Sequence, residues 1–188
     1  LLLGSKIIGI IMKSIRSVIC FCLFLFVFNQ LLFADKTIEN DSLYTSEYIS
    51  RIYMAEPERA LSLLDGAESK KTIPLRIIHE LRSRVYRNMY ITKLAFLYAK
   101  KSYLLDSVSQ KDPKHLLTMT VDLAELAVLM SDHKESMRYA LDGIKLAQKE
   151  KDKGAESKLL FCIGENKWQL SFKEEAYDYF DKAIKLLQ

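Results

Sequence analysis

The stretch that decides the fold is residues 155–188, AESKLLFCIGENKWQLSFKEEAYDYFDKAIKLLQ. Its apolar and small residues fall three and four apart. Leu160, Ile163, Gly164 and Trp168 mark one helix, and Ala176, Phe180 and Ala183 mark a second. Such spacing puts side chains on one face of a helix and cannot lie on one face of a strand. Small residues let two helix backbones approach closely, while a large one fills the space between one pair and the next.

Upstream, the same spacing returns. Leu123 and Ala124 precede Ser136, Ala140 and Gly143; Ser83 and Tyr86 precede Ala95, Ala99 and Ser102; the first copy has Ala60, Leu64 and Ala67. The steps between the first small residues are 35, 41 and 40 (Ala60, Ala95, Ser136, Ala176). Within 133–149, Ser136, Met137, Ala140, Ile144 and Ala147 form one face, and Lys134, Glu135, Arg138, Asp142 and Lys145 the other. Pro57, Pro74 and Pro113 sit where helices begin, because the first turn needs no N–H from them. The charged run Lys149–Gly154 reads as a break between helices. The pattern predicts helices near 42–54, 57–69, 74–89, 93–108, 114–130, 133–149, 155–170 and 173–187, joined by short connections into four antiparallel pairs. The alternative arrangement is an irregular antiparallel bundle.

This pattern resembles the tetratricopeptide repeat (TPR), with large and small residues in the first helix and small-x3-large-x2-small in the second. The resemblance implies an all-α, right-handed α-solenoid of about four helix pairs. The chain departs from the family in its longer steps, in Lys167 where Tyr is favoured, in Tyr48 at a small-residue place, and in lacking a closing proline. The first pair is therefore read as an atypical cap.

Composition narrows the function. With 49% hydrophobic and 28% charged residues the chain is neither a disordered tail nor a polytopic membrane protein. Six Gly and three Pro argue against a turn-rich β fold. The net charge of +4 comes mostly from Lys6, Lys13 and Arg16. Residues 35–188 hold 25 bases against 24 acids, which disfavours a nucleic-acid surface.

Residues 1–34 read as a signal peptide. Met12 is the better start; Lys13 and Arg16 form a basic head; Val18–Phe28 is an apolar run; and cleavage falls after Ala34. Retained, Ser17–Ala34 is barely long enough for an anchor. Either way, residues 35–188 are expected as an exported, periplasmic repeat domain. Its one cysteine, Cys162, reads as a small buried apolar residue.

No catalytic, cofactor or metal site is expected. His79, His115 and His133 have no ligand partners at metal spacing, and both His115 and His133 are expected at the surface. No phosphate loop or nucleophile elbow is present. What remains is the concave surface that the TPR resemblance implies, used for a peptide or a partner's helix. Carried over position by position, it would hold Arg84, Arg87 and Asn88, then Asp122 and Glu125, then Lys158, Glu165 and Trp168. The family's carboxylate clamp wants Lys and Asn where Glu125 and Glu165 stand, so capture of an acidic C-terminus is not implied. Arg82, Arg84 and Arg87 read more readily as a solvated face than as a binding site, and Trp168 more readily as inter-helix packing.

The last helix leaves Leu186 and Leu187 uncovered, where arrays usually carry a polar cap. The sequence is therefore expected to continue beyond Gln188, or a partner to cover that end. Signal peptide followed by repeats is similar in layout to the periplasmic sensor regions of Bacteroidetes membrane-spanning regulators. That layout implies a sensing module of a longer signalling or transcriptional regulator, with a free-standing periplasmic scaffold or assembly factor as the alternative.

Overall fold

The computed structural model describes residues 42–109 and 112–188. The proposed signal segment, its start at Met12 and its cleavage after Ala34 lie outside the described residues. Eight helices, and no strand, occur among them: α1 (Ser46–Ile52), α2 (Pro57–Lys70), α3 (Leu75–Asn88), α4 (Thr92–Ser109), α5 (Pro113–Leu129), α6 (His133–Glu150), α7 (Lys153–Gln169) and α8 (Lys173–Lys185). Tyr44–Gln188 forms one compact unit. Helices α3 and α4, α5 and α6, and α7 and α8 pack as pairs, and α4 packs on α5 and α6 on α7. This is the all-α solenoid of stacked helix pairs that the repeats predict.

Local chemistry explains the boundaries. Pro57 and Pro113 occupy the first turns of α2 and α5, and Pro74 is the N-cap of α3. Side chains of Asp112, Asp132 and Asp152 accept from His115, Glu135 and Ala155 backbone N–H, satisfying donors that the helix cannot. Helix α1 is shorter than the sequence suggests. Thr45 caps it by accepting from Tyr48 N–H, and Pro57 forces Glu56 out of helical backbone angles.

Glycine does not make the turns. Lys71, Tyr90, Ser131, Lys151 and Ser171 carry left-handed backbone angles, and no described glycine does. At the break expected around Gly154, Lys151 (φ 57°) makes the turn, while Gly154 lies inside α7. An L-residue is strained there by about 1–2 kcal/mol, part of which glycine loses again to its freer unfolded chain. Lys151→Gly is expected to raise the melting temperature by about 2–4 °C, measured by thermal denaturation.

The small residues do what their spacing predicts. Ala60, Ala67, Ala95, Ala99, Ala124, Ser136, Ala140, Ala176 and Ala183 are buried. Close approach lets a serine on one helix reach a backbone carbonyl on its mate in each of the last three pairs. Ser83 donates to Ala95 O (2.8 Å) and Ser102 to Arg76 O (2.9 Å). Ser136 donates to Ala124 O (3.1 Å), and Ser157 to Ala183 O (2.8 Å). Between pairs, the buried Asn166 amide donates to Ser136 Oγ (2.7 Å) and its Oδ1 meets His133 Nδ1 at 3.0 Å, while within its own helix it donates to Cys162 O (2.8 Å).

Candidate functional site

The first helices of the last three pairs, α3, α5 and α7, carry two adjoining cavities. One, of about 770 Å³, is lined by Tyr53, Met54, Arg84, Asn88, Tyr90 and Asp122 among others. The second, of about 450 Å³, is more apolar, with Val128, Leu129, Phe161, Cys162, Ile184 and Leu187 beside Glu125 and Glu165. Arg87, Leu129 and Lys158 line both. Seven of the eight residues expected in the groove thus share one continuous depression.

Trp168 is the exception. It stands edge-on to Tyr177 of α8 (5.8 Å), with the Lys173 ammonium 5.5 Å from its ring centre. It belongs to the α7–α8 packing rather than to either cavity. Asn88 also does structural work, donating to Tyr53 O (3.4 Å) and Met54 O (3.3 Å) in the turn after α1.

The charges in the groove's middle are paired with one another. Arg87 of α3 reaches Asp122 (3.3 Å) and Glu125 (2.5 Å) of α5. Burial pushes the Asp122 carboxyl up to about 6, Arg87 opposing the rise and Glu125 adding to it. The groove is therefore not a free basic end followed by a free acidic end. Arg84 is tied to Glu80 (2.5 Å) but remains half exposed, and Lys158 is exposed. Cys162, at the floor of the second cavity, is buried, and burial, with Glu125 and Glu165 nearby, pushes its thiol up to about 12. It is a small apolar packing residue, as its setting in the sequence suggests.

Two expectations of surface placement fail. His115 is largely buried between Glu80 of α3 (2.8 Å from Nε2) and Asp106 of α4, which its Nδ1 contacts. The side chains of Asp106 and Glu80 are themselves buried. Helix position alone suggested exposure, but the first turn of α5 is where this pair meets the preceding one. Arg82, read as part of a solvated face, is buried and bonded to Asp65 and Glu68 of α2, both at 2.6 Å. Among the described residues no group of three or more His, Cys, Asp or Glu is placed to hold a metal ion. No described helix is long and apolar enough to cross a membrane.

Cavity residues that the sequence left without a groove role include Tyr53, Tyr90, Thr92, Thr118 and the apolar set Leu129, Phe161, Ile184 and Leu187. The 40-residue step could have found part of that set, since it aligns Phe161 with Val121 and Leu187 with Ala147.

No protein-family model matches the sequence, and no curated protein matches it. Among solved structures the chain is similar to aspartyl phosphate phosphatase F from Bacillus subtilis. The TM-score is 0.69 at 21% identity, over 84% of this chain and 44% of that one. The chain thus spans less than half the length of that protein. The likeness is one of fold, and it supports a TPR-like helical repeat.

Proposed function

We propose that this chain is an exported protein–protein interaction module that takes a polypeptide along α3, α5 and α7. Within that reading it is the periplasmic sensing part of a longer membrane-spanning signalling or transcriptional regulator. The observation that carries the interaction role is the pair of adjoining cavities holding seven of the eight groove positions. A long, shallow, mixed-charge track suits an extended segment or a helix better than a compact metabolite. The similar solved structure is named for its action on an aspartyl phosphate, which this reading does not extend to the present chain. No catalytic residue, cofactor or nucleic acid is assigned. The exported, sensing part of the reading rests on the apolar N-terminal run and its basic head.

The experiment is retention on an array of synthetic peptides that differ in the order of their acids and bases. Peptides carrying an acid for Arg84 and Lys158 and a base for Glu165 are expected to be retained, and to be released by salt. Arg84→Glu with Lys158→Glu should weaken retention by about tenfold. Arg87→Glu is unsuitable, since it would set a third acid beside Asp122 and Glu125 and so test folding. Absence of any retained peptide, or retention indifferent to both substitutions, would overturn the assignment. Export has its own test. Mass spectrometry of the secreted chain should find Asp35 at its N-terminus, and a chain retaining Phe21–Phe28 would be an anchored one.

A further inference from the structure

The second helix of every pair turns the same two positions outward. Counted from its first small residue, these are Ser62 and Ser69 on α2, Arg138 and Lys145 on α6, and Asp178 and Lys185 on α8, all exposed. Helix α4 has leucine at both, Leu97 (45% exposed) and Leu104 (51%). One turn further, Val108 (86%) stands where α6 has Lys149. Helix α4 lies inside the array, packed on α3 and α5, and these positions face solvent in the other three second helices as well. The exposure therefore belongs to the position and is not that of an array end.

The three apolar residues fall seven and four apart, within about 40° of one another around α4 and about 16 Å along it. Lys93 and Lys100 flank this stripe on one side and Lys101 on the other. The one acid of α4, Asp106, is buried, so the exposed face carries a single sign. The Lys101 ammonium stands 4.8 Å over the Tyr98 ring, and Glu135 of the neighbouring α6 is already bonded to Arg138 (2.7 Å). None of the stripe or its lysines lines either groove cavity.

An apolar stripe held on a water-soluble surface marks an association site, and charge decides what it meets. A second copy would set lysine against lysine. A ridge one helix wide offers no trough for an incoming helix. A ridge of apolar side chains between two rows of lysine is instead the arrangement of a helix lying in an anionic bilayer interface. Its apolar residues enter the acyl boundary, and the ammonium groups reach phosphates on flexible stems.

We infer that α4 is a contact site for an anionic phospholipid surface, with Leu97, Leu104 and Val108 entering it and Lys93, Lys100 and Lys101 meeting its phosphates. This uses no residue assigned to the peptide and leaves α3, α5 and α7 open to one.

The test reads the stripe itself, so that lipid binding by another part of the full chain does not enter. In L104W the new indole is followed by fluorescence on vesicles of phosphatidylcholine alone or mixed with phosphatidylglycerol, with brominated acyl chains as quencher. The unsubstituted chain supplies the Trp168 background. The indole should shift to the blue and be quenched on the mixed vesicles only, and salt should reverse both. Adding K93Q/K100Q/K101Q should raise the lipid concentration needed for half-maximal quenching about tenfold or more. Adding L97S/V108S instead should raise it about tenfold. Circular dichroism confirms that each variant is folded, as these exposed positions should allow. An indole unmoved by anionic vesicles, moved equally by neutral ones, or indifferent to the lysines would overturn the inference. A shift on adding an acidic amphipathic peptide, with none on vesicles, would also overturn it and give the stripe to a protein. The peptide-binding reading fails separately, since K93Q/K100Q/K101Q should leave retention on the peptide array unchanged.

Discussion

His115→Leu is expected to destabilise the fold by about 3 kcal/mol, because it removes one partner from a buried charge network and leaves the others. The network joins three helices. Asp106 of α4 lies beside Arg76 of α3 (3.8 Å), and His115 of α5 bridges Asp106 to Glu80, which Arg84 also holds. The histidine pins the second helix pair to the third. With leucine in its place, Asp106 and Glu80 face apolar surface with only the arginines to compensate. That residual pairing is why the expected cost lies at the low end for a broken buried pair. Chemical denaturation of the two proteins below pH 6.5 measures the difference.

The same residue gives a pH signature with a definite sign. Hydrogen bonding to Glu80, followed by that to Asp106, raises His115 above its ordinary 6.5, against the opposing pull of burial. Its contribution is therefore complete below 6.5 and is lost as pH rises through the raised value. Burial pushes Glu80 up, yet the His115 bond and Arg84 outweigh it and leave its carboxyl below 4.5. That contribution is present above 4.5 and is lost as pH falls through the lowered value. The pair is strongest between those two values. Asp122 behaves differently. Its raised carboxyl, about 6 against 3.8, favours the fold below 3.8 and ceases to do so as pH rises through 6. Below 9, the ordinary value of the thiol that burial raises at Cys162, wild type should accordingly lose stability twice with rising pH, once between about 4 and 6 and again above 6.5. His115→Leu should keep the first loss and abolish the second. A variant that still lost stability above 6.5 to the same extent would show that His115 is not the titrating group.

The helices were legible because each rests on a short-range rule. Pro57, Pro74 and Pro113 mark starts, the aspartates at 112, 132 and 152 cap, and the small residues recur at one spacing. Seven of the eight groove positions line the two cavities because a repeat sets which helical positions share a face. What one position cannot state is its partner. Arg87 reads as a free base until α5 brings Asp122 and Glu125 to it, thirty-five and thirty-eight residues away. His115 reads as a first-turn surface residue until Glu80 and Asp106 close on it. The break at Lys149–Gly154 was legible, but the residue that turns the chain there was not. Glycine is the usual left-handed residue, and here lysine, serine and tyrosine hold those angles because the hydrogen bonds of the helix ends impose them.

Gly164→Leu is the second large effect expected, and it tests the repeat register itself. Gly164 lies where α7 packs on α8. A Cβ there would stand 2.5 Å from the Phe180 ring and 3.2 Å from the carbonyl oxygen of Ala176. The ring could swing aside, but it also packs tilted against Phe161 (4.9 Å), and the carbonyl belongs to the α8 backbone. Alanine therefore already demands a shift, and leucine adds three more carbons to a contact with no room. Overpacking of this kind costs about 1–3 kcal/mol. Ala176→Leu attacks the same contact from α8 and should cost a similar amount. Because the two residues meet, the double variant should lose less than the sum of the singles, since a contact once forced apart cannot be forced apart again in full. Ser157 gives the independent readout. Its hydroxyl bonds Ala183 O (2.8 Å) at the other end of this helix pair, and a hinge opened at Gly164 should expose that end to hydrogen exchange. Unchanged thermal stability in both single variants would mean that α7 and α8 do not meet at Gly164 and Ala176. The 40-residue register, and with it the alignment of Phe161 on Val121, would then have to be redrawn.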